Sequence, residues 1–295
     1  MNELKSNITG ADKLATFPRR SDKTVGRLLL DAGKLKLHDI ELIERCQREQ
    51  KLRFGEAAVK LGLVAEADIL QMLAQQFSYP YLQTGEGGFS EELVAAYQPF
   101  SPQVEALRGL RSQLMLRWFS DKHKHLALVG LGQGDGCSYM AANLAIVFSQ
   151  LGERTVLIDA NLRNPRQHHL FNLAQRQGLS DLMAGRAGME TVGRIPSFVD
   201  LSVLPAGTIP PNPQELLGRP AFIALMRDLV KSYDVILLDT PPGTQYADMQ
   251  NIVAAAGAAV LVMRKHNTRM SDALVMQGQL ANAKAQIVGA VLNEF

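Results

Sequence analysis

The chain has 295 residues, 46% of them hydrophobic and 20% charged, with a formal net charge of +2. That composition builds an apolar core and leaves no charge excess for a general binder of nucleic acid or anionic membrane. Cys46 and Cys137 stand in no metal-type spacing and fit a reducing compartment better than a disulfide framework.

Residues 1–23 are polar, mixed in sign and without period; a disordered tail is expected there, with no apolar stretch of signal-peptide type. A duplication follows over 24–83. "VGRLLLDAGKLKLHDIELI" (25–43) aligns with "FGEAAVKLGLVAEADILQM" (54–72), and Gly26 and Gly33 recur at one offset as Gly55 and Gly62. Each copy reads as a short helix, a glycine stop and a second helix. Asp39 and Asp68 fall near the start of the second helix, where a carboxylate suits the helix dipole. A small all-α domain is predicted. Residues 84–100 open on a Gly-rich turn and read as a linker.

From 101 the pattern changes. Short apolar runs, "HLALVG" (125–130), "TVLID" (155–159), "LSVLPAG" (201–207), "VILLD" (235–239), "AAVLVMR" (258–264) and "IVGAVLN" (287–293), alternate with helical segments such as 139–151, 219–232 and 270–284. Nearly continuous apolar strands separated by helices predict an α/β domain over 101–295: a parallel sheet covered on both faces. Ligands bind at the carboxyl ends of such strands. The longest apolar run, 252–263, is shorter than the ~20 residues a bilayer span needs. A soluble, cytoplasmic protein is expected, held at a membrane, if at all, by a partner.

The first strand runs into "GQGDGCS" and then a helix. Glycines let backbone N–H groups turn toward one anion, and the helix start adds its positive end. Ser138 stands where a hydroxyl usually meets Mg²⁺, but the lysine expected before it is Cys137. A helix start can also lower a thiol pKa, which would make Cys137 reactive. Asp159 and Asp239 each end an apolar strand downstream of this loop. They suit contact with Mg²⁺, directly or through water, together with Ser138. A glycine turn with no ligand and two solvated strand ends is the competing reading.

Residues 101–295 resemble the bacterial tyrosine kinases, P-loop kinases of capsule and exopolysaccharide systems related to the MinD/ParA ATPases. "GQGDGCSYMAANLA" is similar to their Walker A segment, "VLIDANLRNP" to Walker A′ and "VILLDTPP" to Walker B. The resemblance implies nucleotide contacts at Gly134, Asp135, Gly136, Cys137, Ser138, Tyr139 and Arg163, and catalytic positions at Asp159, Asn161 and Asp239, with ATP and Mg²⁺ as ligands. It implies a ring interface at Glu105, Arg108 and Arg111, which match E-x-x-R-x-x-R. It also implies an inner-membrane polysaccharide co-polymerase as partner and no nucleic acid.

Three features depart from the family. Cys137 replaces the Walker A lysine, Asn161 replaces the second A′ aspartate, and no tyrosine cluster follows the last strand. A positioned cation and a base-type carboxylate both matter for phosphoryl transfer. Two readings therefore stand: an ATP-dependent tyrosine kinase with an atypical loop, or a catalytically degenerate regulatory subunit controlling polymer length. Residues 24–83 resemble the N-terminal domain of type II secretion and pilus ATPases, some of which bind cyclic di-GMP. Arg53, Gly55 and Gly26 are the matching positions, although the first repeat has Thr24 where the arginine belongs. A helical docking module is the favoured reading.

Overall fold

The computed structural model describes residues 24–76, 81–83 and 85–294; the tail expected over 1–23 lies outside them. The chain forms two compact units, residues 1–79 and 80–295.

The first unit is two helical hairpins: α1 (Val25–Asp31) with α2 (Leu37–Gln50), and α3 (Phe54–Lys60) with α4 (Glu66–Gln76). Gly33 and Gly62 end the leading helices, each at φ +68°. Asp39 accepts the Lys36 N–H at 2.7 Å and Asp68 the Ala65 N–H at 2.9 Å, so both acids cap the second helices. Lys34, 2.9 Å from Asp68, holds that carboxyl below its ordinary range. Leu29, Ile43, Ala57, Ala58 and Met72 form the core.

Two of the cyclic di-GMP candidates have a packing role in this unit. A Cβ at Gly26 would stand 3.0 Å from the Phe54 ring, and one at Gly55 would stand 2.8 Å from Ile69. Arg53 and Gly55 line a groove of about 590 Å³ beside α3 and α4, whereas Gly26 lines a separate one of about 550 Å³. The three positions are not brought to one cavity.

The second unit corrects the linker reading. In residues 85–100, Leu93, Ala95 and Ala96 are fully buried. These side chains join the hydrophobic core, and Asn143, a buried amide inside a helix, must find its partners there. It accepts the Ala95 N–H and donates to the Glu92 carbonyl, both at 2.9 Å. The remaining helices are α5 (Val94–Tyr97), α6 (Pro102–Arg117), α7 (Cys137–Ser149), α8 (Gln167–Leu170), α9 (Leu179–Met183), α10 (Pro213–Leu217), α11 (Pro220–Leu229), α12 (Asp248–Ala256) and α13 (Met270–Asn282).

Seven strands form one sheet: β1 (His125–Gly130), β2 (Thr155–Asp159), β3 (Gly193–Arg194), β4 (Leu201–Leu204), β5 (Val235–Asp239), β6 (Ala258–Arg264) and β7 (Gln286–Asn293). Their order is β3-β4-β2-β5-β1-β6-β7, and every pairing is parallel except that of the two-residue edge strand β3. The apolar run at 201–207 stops at Leu204 because Pro205 has no N–H for the ladder. Successive side chains point to opposite faces. Leu126, Leu128, Leu237, Val260 and Val262 pack with α7 in one core, while Ala127, Val129, Ile236, Leu238 and Leu261 pack with α11 and α12 in the other. Both faces are covered, which is why the strands read as unbroken apolar runs. β1 lies between β5 and β6, so the carboxyl end of β1 opens on the crevice where such sheets hold ligands. Among the described residues no helix is long and apolar enough to cross a membrane.

Candidate functional site: a phosphate loop without its lysine

Residues 131–136 join β1 to α7. Gly134 (φ +84°) and Gly136 (φ +87°) are left-handed, a conformation that side-chain-bearing residues rarely adopt and that turns backbone N–H groups into a concave anion cradle. Gly136 is the N-cap of the 13-residue α7. A cavity of about 250 Å³ lies at the loop, and Ser138, Asn161, Asn164, Arg166 and Thr240 complete its wall.

Asp135 braces the loop. Its carboxylate accepts the Gly132 N–H at 2.7 Å and the Thr268 hydroxyl at 3.2 Å, and its carbonyl accepts the Asn293 amide at 2.8 Å. The residue is 1% exposed, so it serves the loop's shape rather than meeting an anion.

Asp159 and Asp239 are register partners on β2 and β5, and both are fully buried. Asp239 Oδ2 accepts the Gln167 amide at 2.8 Å, while Oδ1 has no partner. Ser138 and Cys137 face this carboxyl. Burial raises its pKa, opposed by the Gln167 amide and by the nearby Ser138 hydroxyl. Asp159 accepts three main-chain N–H groups: Gln167 at 2.9 Å, Arg166 at 3.0 Å and Asn161 at 3.3 Å. Burial, then the charge of Asp239, pushes its carboxyl well above the usual range.

The donor set fits a magnesium ion at Ser138 and Asp239. Asp239 Oδ1 and Gln167 Oε1 are buried acceptors without donors, and Mg²⁺ takes oxygen ligands while keeping several waters. Asp159 differs from Asp239 in that both its oxygens are engaged by main-chain N–H groups of the A′ turn. Among the described residues no cluster of three or more His, Cys, Asp and Glu is arranged to bind a metal.

Other predicted residues also take different places. Cys137 lines the cavity, but its thiol points inward and donates to the Leu128 carbonyl at 3.0 Å. Burial, then Asp239, pushes that thiol well up, which overturns the reactive-cysteine reading. Asn161 stays at the cavity, its amide oxygen accepting the Asn164 N–H at 3.1 Å. Arg163 is drawn away. It pairs with buried Asp248 at 2.6 and 3.0 Å and lies 4.2 Å over the Tyr246 ring. Tyr139 lines an adjoining cleft of about 680 Å³, with Gly134, Gly136, Arg166 and Arg264. Of the ring-interface trio, Glu105 is exposed and pairs with Arg108 at 3.2 Å, whereas Arg111 donates to the Val147 carbonyl of its own chain at 2.6 Å.

Sequence reasoning missed Gln167, Arg166, Asn143 and the anchors of Asp135. Asn143 left a signal, a polar amide in the otherwise apolar "MAANLAIVF". Gln167 and Arg166 left none, since each acts on a residue far along the chain.

The family profile of the cellulose biosynthesis protein BcsQ matches residues 123–288, more than half of the chain. The putative tyrosine-protein kinase CapB of Staphylococcus aureus is 32% identical over 198 residues, 67% of this chain and 87% of CapB. The tyrosine-protein kinase Wzc of Salmonella typhimurium is 30% identical over 204 residues, 69% of this chain but only 28% of Wzc. The crystal structure of the chimerical protein CapA2B2 superposes with a TM-score of 0.65 at 31% identity, covering 76% of this chain and 97% of that one. The phosphate loop between β1 and α7, the paired strand-end aspartates and these similarities agree: the chain belongs to the bacterial tyrosine-kinase family of P-loop proteins, within the group whose profile is that of BcsQ.

Proposed function

We propose that the protein binds a magnesium nucleotide at the 131–138 loop and works in exopolysaccharide synthesis, setting chain length together with a membrane-embedded co-polymerase. The observation that carries this reading is Ser138, at the start of α7, facing the Asp239 carboxyl, whose buried Oδ1 has no hydrogen-bond partner. Backbone N–H groups of the loop and the α7 N-terminus cradle the phosphates. The Ser138 hydroxyl and the Asp239 carboxylate hold the cation. When bound, Mg²⁺ neutralises charge developing on the transferred phosphoryl group. Asp159 fixes the A′ turn that forms one wall of the site.

Transfer to a protein tyrosine is the activity this geometry supports, and it is slow. Asn161 has no carboxylate to take the hydroxyl proton, and Cys137 brings no cation. The same two positions favour a second reading, in which nucleotide occupancy regulates assembly and no transfer occurs. A partner is inferred from the relatives: the matching domain is nearly all of CapB but 28% of Wzc, so it works both separately and within a longer chain. On this reading the protein works in the cytoplasm against the inner membrane, in a homo-oligomer to which the exposed Glu105 of α6 contributes. Incubating the protein with Mg-ATP and the cytoplasmic tail of its co-polymerase tests transfer. Phosphotyrosine that disappears in Asp239→Asn supports the kinase reading, and nucleotide binding without phosphotyrosine supports the regulatory one.

A further inference from the structure

We propose that Arg166 supplies the cation that position 137 lacks, reaching the phosphates from the wall opposite the loop, and that Glu92 holds it aside while the site is empty. The proposal rests on the nucleotide reading above. Of the described residues lining the loop cavity, Arg166 is the one cation, and it also lines the adjoining 680 Å³ cleft.

Its root is fixed and its tip is not. The Arg166 N–H donates to Asp159 Oδ2 at 3.0 Å, and its carbonyl accepts the N–H groups of His169 and Leu170, both at 3.0 Å. The guanidinium meets Glu92 at 2.7 Å, with the two side chains 48% and 45% exposed. A pair that open to water is held weakly. A guanidinium also matches phosphate geometry bidentately, which makes an anion in the cavity the stronger partner. Glu92 stands on a firm base, because its carbonyl accepts the buried Asn143 amide. Position 137 lost its cation while the A′ turn carries one at the same cavity. The competing account is a surface pair that ties the 85–100 segment to the A′ turn.

Calorimetric titration of Mg-ADP at fixed ionic strength decides between them, with the natural protein, Arg166→Ala, Glu92→Gln and Cys137→Lys. The expected result is a loss of roughly tenfold or more in affinity for Arg166→Ala and a gain of about two- to fivefold for Glu92→Gln. Adenosine, which has no phosphate, should bind all variants alike. Affinity for Mg-ADP within about twofold of natural in Arg166→Ala overturns the proposal and leaves the nucleotide reading standing. If Arg166→Ala does not fold, Glu92→Gln decides, and unchanged or weaker binding overturns the proposal. Binding by Cys137→Lys with none by the natural protein refutes the nucleotide reading itself, and this proposal falls with it.

Discussion

Cys137→Lys restores the residue type the loop departs from, and the structure sets its size. The thiol donates to the Leu128 carbonyl at 3.0 Å, but that carbonyl also accepts the Thr240 hydroxyl at 2.8 Å. Removing the thiol therefore leaves no buried acceptor unpaired, and the loss is confined to a weak S–H donor. The new ammonium enters a cavity of about 250 Å³ lined by glycine backbone and Ser138. A hydrogen bond between ionised partners contributes about 1.5–3 kcal/mol, or roughly 10- to 150-fold in affinity. Repulsion from Arg166 across the cavity and attraction to Asp239 both reduce that gain, so the lower part of the range applies. Titration of Mg-ADP into both proteins should show tighter binding by about tenfold in the variant. A folded variant whose affinity stays within twofold of the natural protein would refute the reasoning, because the loop would then not be a phosphate cradle short of one cation.

Four further outcomes follow from the same geometry. Asp239→Asn removes a buried carboxyl whose pKa is raised by burial. A raised acid contributes stability that is present at low pH and lost as the pH climbs through its folded-state value. The variant should therefore be more stable than the natural protein at pH 8 by about 1–3 kcal/mol, the gap closing toward pH 4, while losing Mg-dependent nucleotide binding; thermal melts across pH check this. Cys137 should alkylate at least roughly tenfold more slowly than an exposed thiol at pH 8 in the folded protein, since burial and Asp239 hold it protonated, as mass spectrometry of a timed iodoacetamide reaction would record. Asn161→Asp keeps the acceptor for the Asn164 N–H, so the fold survives, and combined with Cys137→Lys it should raise phosphotransfer to a tyrosine peptide by about 10²-fold or more. Gly178→Ala places a methyl against the Pro205 carbonyl and should cost about 1–3 kcal/mol, read as a melting temperature lower by roughly 2–4 °C per kcal/mol.

The α/β sheet was legible because burial on both faces leaves a plain mark, the apolar run, and each of the six predicted runs contains a strand. Strand β3 left no mark, being a Gly-Arg pair whose place is set by Val203 and Ser202 opposite it. The helical hairpins were legible from their repeated glycines and capping aspartates. Segment 85–100 was misread because its glycines resemble a linker, while the contacts that fix it come from the core and from Asn143, 48 positions beyond Ala95 and 51 beyond Glu92. At the site, residue types were readable and side-chain directions were not. Cys137 was visible as a missing lysine, but its inward thiol depends on the Leu128 carbonyl. Arg163 sat in a nucleotide motif, yet Asp248, 85 positions on, holds it elsewhere. Gln167 reaches Asp239 across 72 positions. Such pairings follow from the order of strands in the sheet, which no local pattern encodes.

The central claim is that this loop still holds a magnesium nucleotide without a lysine at position 137. Calorimetric titration of Mg-ATP and Mg-ADP into the natural protein, beside Asp239→Asn, tests it most directly. The account predicts one site per chain with affinity in the micromolar range, lost when Mg²⁺ is chelated and in Asp239→Asn. No heat of binding up to millimolar nucleotide, from a protein that melts cooperatively, would contradict it.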